Sequence, residues 1–144
     1  MTPADRDLAA TGALLLAEAR RIDRLSRPVT ILAAAVLLLV PLLPAAPSRG
    51  VVAALVLVIL LGLGQAFTAL RVAFDARLFA ALGEGRAPAT LAALDAALTG
   101  LGLLDGAKAG RPLPLRLAGA MRLVRRQAAL LLGQILACLA AALA

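Results

Sequence analysis

The chain contains no histidine, tryptophan, tyrosine or asparagine, and it has one cysteine, Cys138, and one lysine, Lys108. Each absence removes a class of chemistry. Without histidine, no Ser/His/Asp or Cys/His nucleophilic arrangement can be assembled. A single cysteine forbids an intrachain disulfide and leaves no ligand set for a zinc site. Cys138 sits inside an apolar run, where a thiol behaves as a small hydrophobe. The aromatics are Phe67, Phe74 and Phe79 alone. The Trp/Tyr belts that seat many membrane proteins at the interface are therefore missing. Arginines and helix length must set any position in a bilayer.

What the chain has instead is hydrophobic length. Its 144 residues are 62% hydrophobic and 16% charged, against about 45–50% and 25% in soluble domains. The excess is concentrated in runs. Residues 29–46 and 51–70 contain no ionisable side chain, and only Pro47, Ser48, Arg49 and Gly50 separate them. A bilayer core of about 30 Å needs roughly 20 apolar residues in a helix. The two runs read as a transmembrane hairpin. Asp5, Asp7, Glu18 and Asp23 precede the first run, which argues against a cleavable signal and for a retained anchor.

Around the hairpin the pattern is helical. Thr2, Pro3 and Asp5 form a helix start: a capping hydroxyl, a first-position proline and an acid in the first turn. Leu8, Leu15 and Ile22 recur at seven-residue spacing, and arginines crowd the stretch before Pro28. Residues 1–28 are thus expected to form an amphipathic helix that Pro28 ends. Pro41 and Pro44 should unwind the far end of the first span. Phe67, Leu70, Phe74, Leu78 and Leu82 predict that the second span continues as an amphipathic helix closed by Gly83, Glu84, Gly85 and Arg86. A short helix follows, from Pro88, Ala89 and Thr90 to Gly100 and Gly102, with Asp105 and Gly106 in the turn beyond it. Leu113, Leu117, Met121 and Val124 then mark a helix that runs into a third apolar segment, 127–144.

Charge predicts sidedness. Residues 1–28 carry five arginines, and residues 71–126 carry nine basic and four acidic side chains, whereas the 47–50 turn has one arginine. Short loops rich in Lys/Arg stay in the cytoplasm. Both basic stretches are expected there, and the C-terminus outside.

Candidate site residues are few. Gln65 and Gln134 interrupt the second and third spans at expected depths differing by about 3 Å. Unpaired amides in hydrocarbon are costly, so the two are expected to bond each other. Gly133, Ala137 and Ala141 form a row of small residues suited to close helix packing. Arg116, Arg122, Arg125 and Arg126 form a basic face for anionic lipid headgroups. That region has no stacking aromatics and no nucleic-acid motif, so nucleic acid is not expected as a partner. Asp75, Asp95 and Asp105 share no spacing that would make a catalytic pair or metal site. The glycine-rich stretch around Lys108 lacks phosphate-loop spacing.

The sequence therefore predicts an all-α, small polytopic membrane protein. It comprises an amphipathic cytoplasmic segment (1–28), a transmembrane hairpin (29–70), a cytoplasmic helical connection (71–126) and a third transmembrane helix (127–144). No enzyme activity, cofactor or metal is expected. The expected role is a small bacterial inner-membrane scaffold or accessory subunit that contacts lipid and either a protein partner or copies of itself. The alternative is an oligomeric pore or transport component with Gln65 and Gln134 lining a polar path.

Overall fold

The computed structural model describes residues 1–42, 44, 46–86, 90–103 and 109–143. Its regular elements are all helical: α1 (Pro3–Glu18), α2 (Arg20–Leu39), a 3₁₀ turn (Val40–Leu42), α3 (Arg49–Gly83), α4 (Leu91–Gly100) and α5 (Leu113–Leu143). Three stretches, Pro3–Leu42, Arg49–Gly83 and Leu113–Leu143, are long and apolar enough to cross a membrane.

Local chemistry explains the helix ends. The Thr2 hydroxyl accepts from the Asp5 N–H at 3.1 Å, and the Asp5 carboxylate accepts from the Thr2 N–H at 2.8 Å, which is a reciprocal capping box. The Thr2 backbone N–H, with a smaller contribution from the Thr2 side chain, holds the exposed Asp5 carboxyl below the usual carboxylate range. Ser48 caps α3 by accepting from Val51, and Thr90 caps α4 by accepting from Ala93. Helices α3 and α4 both end in Schellman turns. Arg86 N–H reaches back to Ala81 and Leu103 N–H to Leu98, both at 2.9 Å. The turns need a left-handed residue, supplied by Gly85 at φ 69° and Gly102 at φ 68°. Pro88, Ala89, Asp105, Gly106, Lys108 and Ala144 lie outside the described residues.

Pro28 does not end a helix. It lies inside α2, and the break falls at Ala19 instead. Backbone disruption by an internal proline is tolerated where nearby Ser/Thr side chains compensate. Pro28 deprives the Arg24 carbonyl of its helical donor; separately, the Thr30 hydroxyl donates to the Ser26 carbonyl at 3.0 Å, within a turn of the proline. The opposite end behaves as its prolines require: regular helix stops at Leu39, and Pro41 falls in the 3₁₀ turn.

The chain divides into two compact units: Met1–Glu18 with Val72–Arg122, and Ala19–Arg71 with Leu123–Ala144. In the first unit, α1 buries Ala9, Gly12, Ala13 and Leu16, while Leu14 and Leu15 are exposed. The Leu8/Leu15 stripe is therefore not the packed face. On α3 the buried row is Val72, Ala76, Phe79 and Leu82, and Phe74 is exposed. Large and small residues share these contacts, and glycines let the backbones approach at two of them. A Cβ on Gly12 would lie 2.7 Å from Leu117 Cδ1, and one on Gly83 would lie 3.0 Å from the Ala10 backbone. The α5 stripe holds as expected at Leu113, which is fully buried, with Leu117, Met121 and Val124 half-buried.

The second unit packs α2 against parts of α3 and α5. Ala33, Val58 and Ala137 form its small apolar centre, flanked by Val29, Leu55, Ile59 and Cys138. Close approaches set the register. Gly62 meets Thr30 and Gln134, Gly64 meets Leu130, and Gly133 meets Leu61. Helix α3 thus runs antiparallel to both α2 and α5. The outward side chains are large and apolar: Ile31, Leu32, Leu38, Leu60, Leu63, Leu132 and Leu139 are all exposed, Leu38 to 80%.

Gly83 and Gly100 make a paired test. Gly83→Val must push against the Ala10 backbone and is expected to lose about 1–3 kcal/mol of stability. Gly100→Ala enters open space and is expected to change stability by less than about 1 kcal/mol, in the stabilising direction. Thermal unfolding of the detergent-solubilised variants measures both.

Candidate functional site

A seam of polar side chains runs through the second unit. Asp23, Ser26 and Thr30 recur on α2, Gln65 and Thr68 on α3, and Gln127 and Gln134 on α5. These spacings of three, four and seven residues keep each set on one helix face. All but Thr30 are buried, and Thr30 is half-buried. The chain has three glutamines, and all three are in this seam.

Gln134 is the hub. Ser26 Oγ donates to its Oε1 at 2.5 Å, and its Nε2 donates to Thr30 Oγ1 at 2.9 Å and to the Val58 carbonyl at 3.2 Å. One amide therefore ties together all three helices. Gly62 makes room for it. A Cβ there would overlap the Thr30 hydroxyl and sit 2.8 Å from Gln134 Nε2. Thr68 bonds back to the Gly64 carbonyl at 2.7 Å.

The expected Gln65–Gln134 bond is not formed. Both side chains have 0% exposure, but Gln134 is taken by α2 and Val58, and neither amide atom of Gln65 has a hydrogen-bond partner. Register explains the difference. Gln134 is level with Val58 and Gly62, whereas Gln65 lies about a turn away, near Leu130. Leaving a buried polar atom unpaired costs about 1–3 kcal/mol, so Gln65 is the anomaly of the seam. Ser26, Thr30, Asp23 and Gln127 were not singled out from sequence. The signal available was the i, i+3 and i, i+7 spacing of Asp23, Ser26 and Thr30, hidden by reading Pro28 as a helix end.

The small-residue row takes part in the same packing. Ala137 is buried against Ala33 and Val58, Gly133 faces Leu61, and Ala141 is half-buried.

The first unit holds a different polar node. Asp95 on α4 is buried, and Arg116 Nη2 lies 2.7 Å from its Oδ1 and 2.8 Å from its Oδ2. The Gly110 N–H donates to Oδ2 at 2.8 Å, and Arg116 Nε donates to the Arg111 carbonyl at 2.8 Å. Burial on its own would raise the Asp95 pKa, but the Gly110 N–H and the Arg116 guanidinium together hold it below the usual range. Arg116 is therefore withdrawn from the lipid-facing set. Arg122, Arg125 and Arg126 remain exposed on α5. An open groove of about 680 Å³ lies beside Asp95, lined by Leu91, Ala96, Thr99, Arg111 and Pro112 among others. With its carboxylate neutralised by Arg116, the groove offers no free acid or base from Asp95. Among the described residues, no three Asp, Glu or Cys side chains gather as a metal site would require.

Compared with protein-family models, curated protein sequences and solved structures, the chain matches none.

Two measurements follow from these nodes. Ser26→Ala and Gln134→Leu are each expected to destabilise by about 1–3 kcal/mol. The double variant should lose less than the sum, with a coupling of about 0.6–2 kcal/mol; strict additivity in detergent unfolding would contradict the pin. For Asp95, the lowered folded-state pKa means its stabilisation is complete above the unfolded value of about 3.9 and is lost as pH falls through the folded one. Unfolding midpoints followed from pH 6 to pH 2 should fall on the acid side, and less steeply in Asp95→Asn, which starts from lower stability.

Proposed function

We propose that this chain is a small multi-pass protein of a bacterial inner membrane that acts without catalysis, as a scaffold or accessory subunit. The observation that carries this reading is the inverted polarity of the second unit. Leucines and isoleucines cover its outside, while glutamine, serine and threonine side chains are enclosed. Such a surface suits hydrocarbon, and the enclosed polar groups suit helix association in lipid.

The excess of arginine in residues 1–28 and 71–126 supports a cytoplasmic position for those stretches. Arg122, Arg125 and Arg126 are exposed on one short reach of α5, which supports contact with anionic headgroups at about 1 kcal/mol per charge. Leu14 and Leu15 on α1, and Phe67, Leu70 and Phe74 on α3, are large, exposed and apolar. They are the faces offered to lipid, to a protein partner or to a second copy.

The alternative of a pore needs Gln65 and Gln134 to line a continuous wet path. Full burial of both, and the commitment of Gln134 to three protein contacts, favours the scaffold. No oxidisable, nucleophilic or metal-binding constellation among the described residues favours an enzyme.

Reconstitution tests the choice. In liposomes of mixed neutral and anionic lipid, the scaffold reading expects no ion conductance above empty vesicles. Conductance that Gln65→Leu together with Gln134→Leu abolishes would overturn it in favour of the pore. A periplasm-active reporter should be active after Ala144 and silent near Gly106; the reverse pattern would invert the orientation.

A further inference from the structure

Four buried atoms of the seam have no protein partner: Oε1 and Nε2 of Gln65, Oε1 of Gln127 and Oδ1 of Asp23. They come from all three helices of the second unit. Their levels follow from the register. Thr30 opposes Gly62, so Ser26, one turn earlier on α2, is level with Gln65. Gly64 opposes Leu130, so Gln127 is level with Thr68. Asp23 lies one turn beyond Ser26 in the same direction. The four atoms therefore fall in adjacent layers at one end of the seam, next to the Ser26–Gln134 pin. Buried polar atoms are almost always hydrogen-bonded, to protein or to ordered solvent. Gln65 is fully enclosed, so no neighbouring chain can reach it.

We infer that bound water occupies this end of the seam and bridges the Gln65 amide to Gln127 Oε1 and Asp23 Oδ1. The atom types select the ligand. Three of the four accept hydrogen bonds and one, Gln65 Nε2, donates. Water does both and makes about three bonds in buried sites. A metal cation would bind the three oxygens but offer no acceptor to the Gln65 N–H groups. Arg27 already supplies a cation to Asp23, with Nη2 at 2.7 Å from Oδ2. An apolar ligand would satisfy none of the four. Gln134 marks where the water stops. Its oxygen accepts from Ser26, and its Nε2 donates to two protein acceptors. The wet layers thus end at a dry pin, and the seam is hydrated over part of its length only. This inference does not rest on the scaffold reading, because a solvated pocket closed by Gln134 is neither a pore nor a docking face.

The chain is well suited to the test. It contains three glutamines and no asparagine, so its spectrum holds three side-chain amide groups. The full ¹⁵N-labelled protein in lipid nanodiscs is measured for cross-relaxation between these amide protons and water, each amide being assigned through bonds to its own backbone. The expected result is a clear water cross-peak at Gln65 and none at Gln134. Absence of the Gln65 cross-peak would overturn the proposal. So would a Gln134 cross-peak as strong as that of Gln65, since it would mean general solvent penetration rather than a bounded site. A shift of the Gln65 signals when sodium is replaced by choline would assign the site to a cation and overturn it as well.

Discussion

The constraint on which this protein rests is that hydrocarbon cannot hydrogen-bond. In water, helices associate because leucines leave the solvent. In lipid that gain vanishes, and close packing and interhelical hydrogen bonds must hold the bundle. The second unit follows this logic closely. Its exterior is leucine and isoleucine, its contacts are Gly62, Gly64, Gly133, Ala33 and Ala137, and its interior carries every glutamine in the chain. The Gln134 amide joins three helices through one side chain, and Gly62 is the space that lets it do so. The rest of the unit's geometry is the register this pin imposes.

The first unit obeys a mixed rule. Its helices also meet through small residues, Gly12 against Leu117 and Gly83 against Ala10. The one buried carboxylate among its described residues, however, is paired in the manner of a soluble domain. Asp95 and Arg116 lie on different helices, and the Gly110 N–H adds a second hydrogen bond to Oδ2. Breaking such a pair by removing one partner is costly because the other charge stays buried. The pair locks α4 to the start of α5 and removes Arg116 from the surface, although the sequence reads it as one of four equivalent arginines.

Large apolar residues at helical spacing often mark a buried face. Leu15 and Phe74 sit on such stripes and are exposed, whereas the neighbouring faces, Leu16 with Ala9, Gly12 and Ala13 on α1 and Phe79 with Val72, Ala76 and Leu82 on α3, are buried. Gln65 and Gln134 do not pair because they lie about a turn apart in register, and Ser26, Thr30 and the Val58 carbonyl take the Gln134 amide. Ser26 and Thr30 entered the bundle only because α2 continues through Pro28. Both amides were visible as anomalies in apolar runs, but which groups they meet is a property of three helices together.

The sequence by itself determined helical class, the three apolar stretches and the locally capped helix ends. These depend on hydropathy and on side chains within four residues of one another, as at Thr2 with Asp5, Ser48, Thr90, Gly85 and Gly102. The tertiary structure alone decided which face of each helix is buried and where the first helix breaks. It also decided that Gln134 is satisfied while Gln65 is not. Those outcomes depend on pairs such as Ser26 with Gln134 and Asp95 with Arg116, whose chemistry is legible in the residues but whose meeting is set by the register of whole helices.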